Sequence, residues 1–354
     1  MPAFWTESDY DAHERVELVH DRASGLTAII ALHSTHLGPG AGGTRFWHYA
    51  DPAGAMRDAL RLSRGMSYKN AMAGLPMGGG KAVVLLDHDR TKTPAMLAAF
   101  GDAVEALGGQ YVTAEDVGAS EADMVAISQR SAHVCGLPSG EGEIGGDPGP
   151  FTARGIYLGI KAAAAHALGA GDMRGVRVAV QGCGSVGGGV ARLLAADGAE
   201  LVLADIDGAR AQALASELGA TSVPADQILV TPCDVFSPNA LGAILTDASI
   251  PQLACRVVAG GANNQLARAA DGALLAERGI LYAPDYVINA GGIINVSLEY
   301  LARQHGASVD MEDVQGRIDQ IPGRLQTIWQ QSEATGRPAN EVADRMAQEL
   351  IGRA

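Results

Sequence analysis

Lys69 and Lys81 lie in the segment RLSRGMSYKNAMAGLPMGGGKAVV, whose other residues are mostly apolar or small. Only 26 lysines and arginines serve 354 residues, so two amines in this setting need a reason. One plain reading is a pair of solvated side chains. Another is a phosphate-binding loop, since GGGK resembles the end of one. A Walker A motif, however, has glycine five residues before its last glycine and Ser or Thr after the lysine. Leu75 and Ala82 occupy those positions, so that reading fails. The nine histidines form no HExxH motif, and Cys135, Cys183, Cys233 and Cys255 form no CxxC pair. No metal is expected. His33 and His36, close in sequence, are expected to make local hydrogen bonds, and the cysteines to be reduced, mostly buried thiols.

A second constellation is Gly182-Cys183-Gly184-Ser185-Val186-Gly187, a Gly-x-Gly-x-x-Gly run. Alone it is weak in a chain with 46 glycines. Its context strengthens it: GVRVAV reads as a strand before it, a helix runs from about Ser185 to Asp197, and AELVLAD reads as a second strand ending at Asp205. Glycines permit the tight turn, and the helix start offers unpaired N–H groups to a pyrophosphate. Asp205, 23 residues beyond Gly182, is placed to accept hydrogen bonds from ribose hydroxyls and to repel a 2′-phosphate, which favours NAD⁺ over NADP⁺.

These groups need a scaffold, and the sequence predicts an α/β one. LTAIIALH (26–33), KAVVLL (81–86) and QYVTA (110–114) read as strands, with helices opening at Asp51-Pro52 and over 94–107 and 151–168. VFSP, RVVAGGANN and GILYAPDYVINAGG read as short apolar strands ending in small polar residues, and the tail after about Asp310 as helical. The Gly- and Pro-rich stretch 136–150 marks a domain boundary. The expected domains are 1–150, 151–330, and a C-terminal helix over 331–354 packing back toward the first. A hydrophobic content of 47% suits a large core. The net charge of −14 argues against nucleic acid or an anionic membrane as partner. No apolar run approaches a spanning helix, and the acidic, mixed start is unlike a signal peptide. A cytoplasmic location is expected.

The segments GPGAGGTRFW (38–47), SRGMSYKNAMAGLPMGGGKAVV, YVTAEDVG (111–118), the Gly-rich turn, TPCDVFSP, AGGANNQL and YAPDYVINAGG occur in that order. In this series the chain resembles the Glu/Leu/Phe/Val amino-acid dehydrogenase family over nearly its whole length. The resemblance implies an N-terminal substrate domain with a mixed sheet and helices, a Rossmann domain that binds NAD, a cleft between them, and a homo-oligomer anywhere from a dimer to an octamer. It further implies that Lys69 holds the substrate α-carboxylate, that Lys81 is the general base, and that Asp116 passes a proton at the amino nitrogen. Asn264 would orient the substrate, and Gly42 and Gly43 would let backbone approach it. Met66, Ala41, Ile293 and Val296 would line the side-chain pocket, and Asn289 would join the cofactor site. Such an enzyme transfers hydride from Cα and then hydrolyses an iminium. Lys81 must therefore be neutral, a state that burial and a cationic Lys69 nearby would favour.

Ala41 bears on the substrate. In glutamate-specific members of the family a lysine stands at this position. With alanine there, a glutamate side chain would be buried unpaired. Ala41 with Ile293 and Val296 implies an apolar pocket suited to leucine, isoleucine or valine, with phenylalanine as the alternative. NVSLEYLARQ (295–304) departs from the family's more usual continuation, and this bears on specificity. A 2-hydroxy-acid dehydrogenase would want a catalytic histidine, which none of these motifs contains. An inactive NAD(H)-binding sensor would not be expected to keep Lys69, Lys81 and Asp116 together.

Overall fold

The computed structural model describes residues 4–89, 91–138, 144–240, 242–306 and 309–353, so residues 139–143 of the expected linker lie outside the described residues. The chain forms two compact units. One comprises Met1–Asp147, Ile293–Val314 and Ala347–Ala354; the other comprises Pro148–Gly292 and Gln315–Met346. The contiguous spans read from the sequence differ from this division. Ile293–Val314 joins the first unit rather than the 151–330 span, and the tail from residue 331 divides after Met346. Periodicity reports which face of an element is apolar, not which sheet that face will cover.

The first unit is built on β1 (Arg15–Asp21), β2 (Leu26–Ser34), β3 (Gly40–Trp47), β4 (Gly78–Leu85) and β5 (Tyr111–Glu115), in the order β1-β2-β4-β3-β5. β2 runs antiparallel to β1 and β4, whereas β3 runs parallel to β4 and β5. Alternation along β2 sends Ile29 and Ala31 to a core with Ala59 and Leu60 of α1 (Pro52–Met72). Ile30 and Leu32 face the opposite way, into a core with Phe100 of α2 (Pro94–Ala106) and Ile127 of α3 (Glu121–Ser128). Each helix starts where the sequence supplies a cap: Asp51 before Pro52, Thr93 before Pro94, and Ser120 in a capping box with Asp123.

Two strands of the first unit have no counterpart in the sequence reading. β1 is an edge strand whose half-exposed pattern leaves Leu18 66% accessible. β3 contains Gly40, Gly42 and Gly43, a composition that disfavours strands. β4 likewise starts at Gly78, three residues before the expected Lys81. His33 departs from the expected local bonding. It is fully buried, with Nδ1 2.8 Å from Ser67 Oγ and Nε2 3.0 Å from Asp11 Oδ2. Arg353 closes this corner, donating to the carbonyl oxygens of Asp11 (2.6 Å), Ala12 (3.1 Å) and His33.

The second unit carries β6 (Arg177–Gln181), β7 (Glu200–Ala204), β8 (Thr221–Ser222), β9 (Val235–Pro238), β10 (Val257–Val258) and β11 (Leu281–Tyr282), in the order β11-β10-β9-β6-β7-β8. All neighbouring strands are parallel. The order reverses beside β6, with β7 on one side and β9 on the other, and such a switch point is where α/β sheets take ligands. α4 (Gly149–Leu168), α5 (Ser185–Ala196) and α6 (Gly208–Leu218) belong to this unit. Among the described residues no helix is long and apolar enough to cross a membrane.

Candidate active site

In the first unit the parallel strands bring together what the sequence separates. Lys81 projects from β4, and Asp116 follows directly after β5. Lys81 Nζ lies 2.8 Å from Asp116 Oδ2, with the lysine side chain 6% exposed. Arg45, on β3, donates through Nε to the same oxygen at 3.1 Å and through Nη1 to Asp58 Oδ2 at 2.7 Å. The Tyr49 hydroxyl also donates to Asp58 Oδ2, at 2.8 Å.

Burial holds the Lys81 amine below its ordinary value, and the Arg45 guanidinium adds to this, while Asp116 pulls the other way. Burial alone would raise the Asp116 carboxyl; Lys81 and Arg45 outweigh it and hold the group below the usual carboxylate range. Arg45 is thus a cation acting on Lys81 that the sequence reading, which named Lys69 for that part, did not name. Arg45 sits inside the quoted GTRFW motif, and nothing in its local context marks it. Only the register of β3 beside β5, in which Thr44 pairs with Glu115, brings it to Asp116.

The glycines around this cluster have a packing reason. A Cβ on Gly42 would stand 2.0 Å from the Gly80 carbonyl oxygen and 2.9 Å from Met66 Cγ, and one on Gly43 would stand 2.3 Å from the Glu115 carbonyl oxygen. Ala41 is buried between Gly79 of β4 and Val112 of β5. Asn70, buried on α1 next to half-buried Lys69, donates to Gly78 O at 2.6 Å and to Ala41 O at 3.3 Å, fixing the helix over β3 and β4. Tyr111 donates to Gly42 O at 2.8 Å beneath them.

Ile293 and Val296 also belong to this unit. The divergent NVSLEYLARQ segment grips the unit's loops: Asn295 bonds both N and O of Gly145, at 3.0 and 2.8 Å, the Tyr300 hydroxyl lies 3.0 Å from His133 Nδ1, and Arg303 donates to Val134 O. Asn264 and Asn289 lie in the second unit.

There the Gly-rich turn joins β6 to α5. Gly182 has φ +89°, which suits glycine, and a Cβ on Gly187 would stand 1.9 Å from the Gly182 carbonyl oxygen. α5 begins at Gly184 and Ser185 with no side-chain cap, so its first N–H groups face outward as an anion site would require. Val186 follows in its first turn. Asp205 follows directly after β7 and is 8% exposed. It accepts from Cys183 N at 2.7 Å and from Asp207 N at 2.8 Å. Burial would raise this carboxyl, but those N–H groups and Arg210, at 3.6 Å, hold it below its ordinary value. Arg210 also escaped the sequence reading.

Asn289 donates to Gly261 O and to Asn263 Oδ1 at 3.1 and 2.9 Å, and its own buried Oδ1 has no protein partner. An orphaned acceptor of this kind suits an amide donor on a ligand. Asn264 adopts φ +52°, a conformation rare outside glycine. An uncapped helix start, a carboxylate at the end of the second strand and an unmet acceptor together fit a dinucleotide.

Comparison with known proteins agrees with this geometry. Residues 10–133 match the family described as Glu/Leu/Phe/Val dehydrogenase, dimerisation domain, and residues 203–354 match Glutamate/Leucine/Phenylalanine/Valine dehydrogenase. The leucine dehydrogenase of Geobacillus stearothermophilus is 44% identical over 351 residues, covering 99% of this chain and 94% of that protein. The valine dehydrogenase of Streptomyces albus is 43% identical over 350 residues, covering 98% and 94%. Among solved structures, the L-tryptophan dehydrogenase from Nostoc punctiforme is similar with a TM-score of 0.83 at 39% identity, covering 96% of each chain. With two family matches across most of its length and relatives above 40% identity, this chain belongs to the Glu/Leu/Phe/Val dehydrogenase family and is an amino-acid dehydrogenase.

Proposed function

We propose that the chain oxidatively deaminates a branched-chain L-amino acid (leucine, isoleucine or valine) to the 2-oxo acid and ammonia, using NAD⁺. The observation that carries the chemistry is the buried Lys81–Asp116 pair at 2.8 Å, backed by Arg45. Bound NAD⁺ supplies the hydride acceptor. Lys69 holds the substrate α-carboxylate as a cation. Lys81, once neutral, takes a proton from the water that attacks the iminium carbon, and Asp116 carries a proton to the departing amino nitrogen. Gly42 and Gly43 keep the strand surface bare beside these groups, and Asn264 orients the substrate.

Substrate choice rests on Ala41, which is 1% exposed and offers no charge to a side-chain carboxylate. The names of the relatives, leucine and valine dehydrogenases, support this reading. An aromatic substrate is the second reading, favoured by the small size of Ala41 and by the tryptophan dehydrogenase of similar fold. Asp205 at the end of β7 supports NAD⁺ over NADP⁺. A homo-oligomer is supported by the dimerisation-domain match and by the open edge of β1 with Leu18 exposed.

Comparing kcat/KM for leucine, valine, phenylalanine and glutamate with NAD⁺ tests the reading. Leucine or valine should lead, with glutamate lowest. Glutamate as best substrate overturns the pocket argument, and phenylalanine as best selects the aromatic reading.

A further inference from the structure

Cys233 and Cys255 stand outside the site described above, in the second unit, just before β9 and β10. These two strands pair in parallel with Val235 opposite Val257. Just before these strands the ladder is irregular but the two segments stay side by side: Cys233 N donates to Ala254 O at 3.0 Å, and Asp234 O accepts from both Arg256 N and Val257 N at 3.0 Å. Neighbouring strands stand about 4.8 Å apart, within the Cα separation of about 4.4–6.8 Å that a disulfide spans. Both side chains pack against one apolar cluster, with Phe236, Ile250, Leu253 and Val258, so they share a face of the sheet. Both are free thiols and only half-buried, unlike buried Cys135 and Cys183.

The surroundings differentiate the two sulfurs. The Cys233 thiol hydrogen-bonds to Cys255, which holds the Cys255 thiol below its ordinary value against the effect of burial; the Arg278 guanidinium helps. That guanidinium is itself fixed by donating to the carbonyl oxygens of Ile250 and Leu253. The same hydrogen bond, together with burial, pushes the Cys233 thiol up. Burial raises the thiols of Cys135 and Cys183 as well. One member of the pair is thus the better thiolate, and the other stands across the strand gap to resolve it.

We propose that Cys255 and Cys233 form a reversible thiol–disulfide site whose co-reactant is a low-molecular-weight disulfide. The Cys255 thiolate attacks one sulfur of the small disulfide. A protein–S bond forms, the small S–S bond breaks, and one thiolate leaves, taking the proton that Cys255 gave up. The Cys233 sulfur then attacks the Cys255 sulfur, the mixed disulfide breaks, and a second thiol leaves with the Cys233 proton. Two electrons pass from the cysteine pair to the small disulfide, which is reduced to two thiols. The bond would staple β9 to β10 at their amino ends, opposite the carboxyl ends that lead to Asn239 and Asn263.

Incubating the folded, active protein with excess oxidised glutathione, then alkylating and mapping peptides, tests this. Free thiols should fall from four to two per chain, with Cys233 and Cys255 recovered as one linked peptide and reduced glutathione restoring both. C233S should stop at a glutathione adduct on Cys255, because nothing resolves it. C255S should react at least ~10-fold more slowly at Cys233, whose thiol is the weaker nucleophile. The proposal is overturned if the folded wild-type protein keeps all four thiols, if the link joins different chains or involves Cys135 or Cys183, or if C233S and C255S react at the same rate. Wild-type protein alone decides the linkage, so a poorly folding variant does not block the test.

Discussion

Around Lys81 the first sheet collects its chemistry from distant parts of the chain. Arg45 and Asp116 are separated by 71 residues and meet at one carboxylate oxygen. Around Gly182 the second sheet uses one strand–turn–helix–strand run, and Asp205 closes the turn by accepting from Cys183 N, 22 residues back. The first site is a coupled set of charges, in which altering one alters the protonation of the rest. The second is mostly backbone, held by Gly182 and Gly187, which do not tolerate a Cβ, and by one carboxylate. Charge sites built by convergence are tuned by neighbours; turn sites built locally stand or fall by shape. Substitutions in one should therefore leave the other's signature untouched.

Four substitutions press on that contrast, taken from the largest expected effect to the smallest. Lys81→Ala should lower kcat by at least ~10²-fold, the lower end for a lost general base, while dinucleotide affinity measured by fluorescence titration stays near wild type. Near-normal turnover would remove the mechanism. Asp116→Asn should lower kcat by about tenfold or more and also move the pH profile. Asp116 raises the Lys81 value, so its loss lets the amine deprotonate at lower pH, and the acid limb of kcat/KM should shift downward. An upward shift would show that Lys81 is not the group titrating on that limb.

In the second unit, Asp205→Ser should improve NADP⁺ relative to NAD⁺ on the order of tenfold, by removing repulsion of a phosphate near the surface. Arg210, released from its 3.6 Å pairing, becomes available to the phosphate. The acid limb of the pH profile should not move; if it does, the two sites are not independent. Arg45→Met should have the mildest effect. Arg45 depresses the Lys81 value, so the limb should move upward, opposite in sign to Asp116→Asn. A downward shift would contradict the placement of Arg45 as a neighbour that favours the neutral amine.

The same contrast explains what could be read in advance. The Gly182 turn, Asp205 and Lys81 stand out by their own local context, whereas Asp116 was named only through the family resemblance. Apolar runs such as LTAIIALH and KAVVLL revealed individual strands, while the mixed sheet they form was implied only by the family resemblance. β3 was not legible in this way, because its glycines satisfy a steric demand set by Gly80 and Glu115 on neighbouring strands, and a single segment shows no such demand. Arg45, Asp58 and Arg210 acquire their roles only through register and helix placement. His33 was expected to bond locally, yet its partners Ser67 and Asp11 lie 34 and 22 residues away.

Arg353 donates to the carbonyl of Asp11 across 342 residues of chain, and this bears on the order in which the molecule is completed during synthesis. The carbonyls of Asp11, Ala12 and His33 receive this arginine only after the 320 to 342 residues that separate them from it have been made. Closing so long a loop is slow relative to local helix or hairpin formation. The second unit also takes a late segment, Gln315–Met346, to complete the continuous Pro148–Gly292, and Trp329 and Asn340 bond back to Tyr282 and Ala269. The corner around His33 thus reaches its final hydrogen bonding only once residue 353 is present, and until then its carbonyls must be satisfied by solvent or by a chaperone.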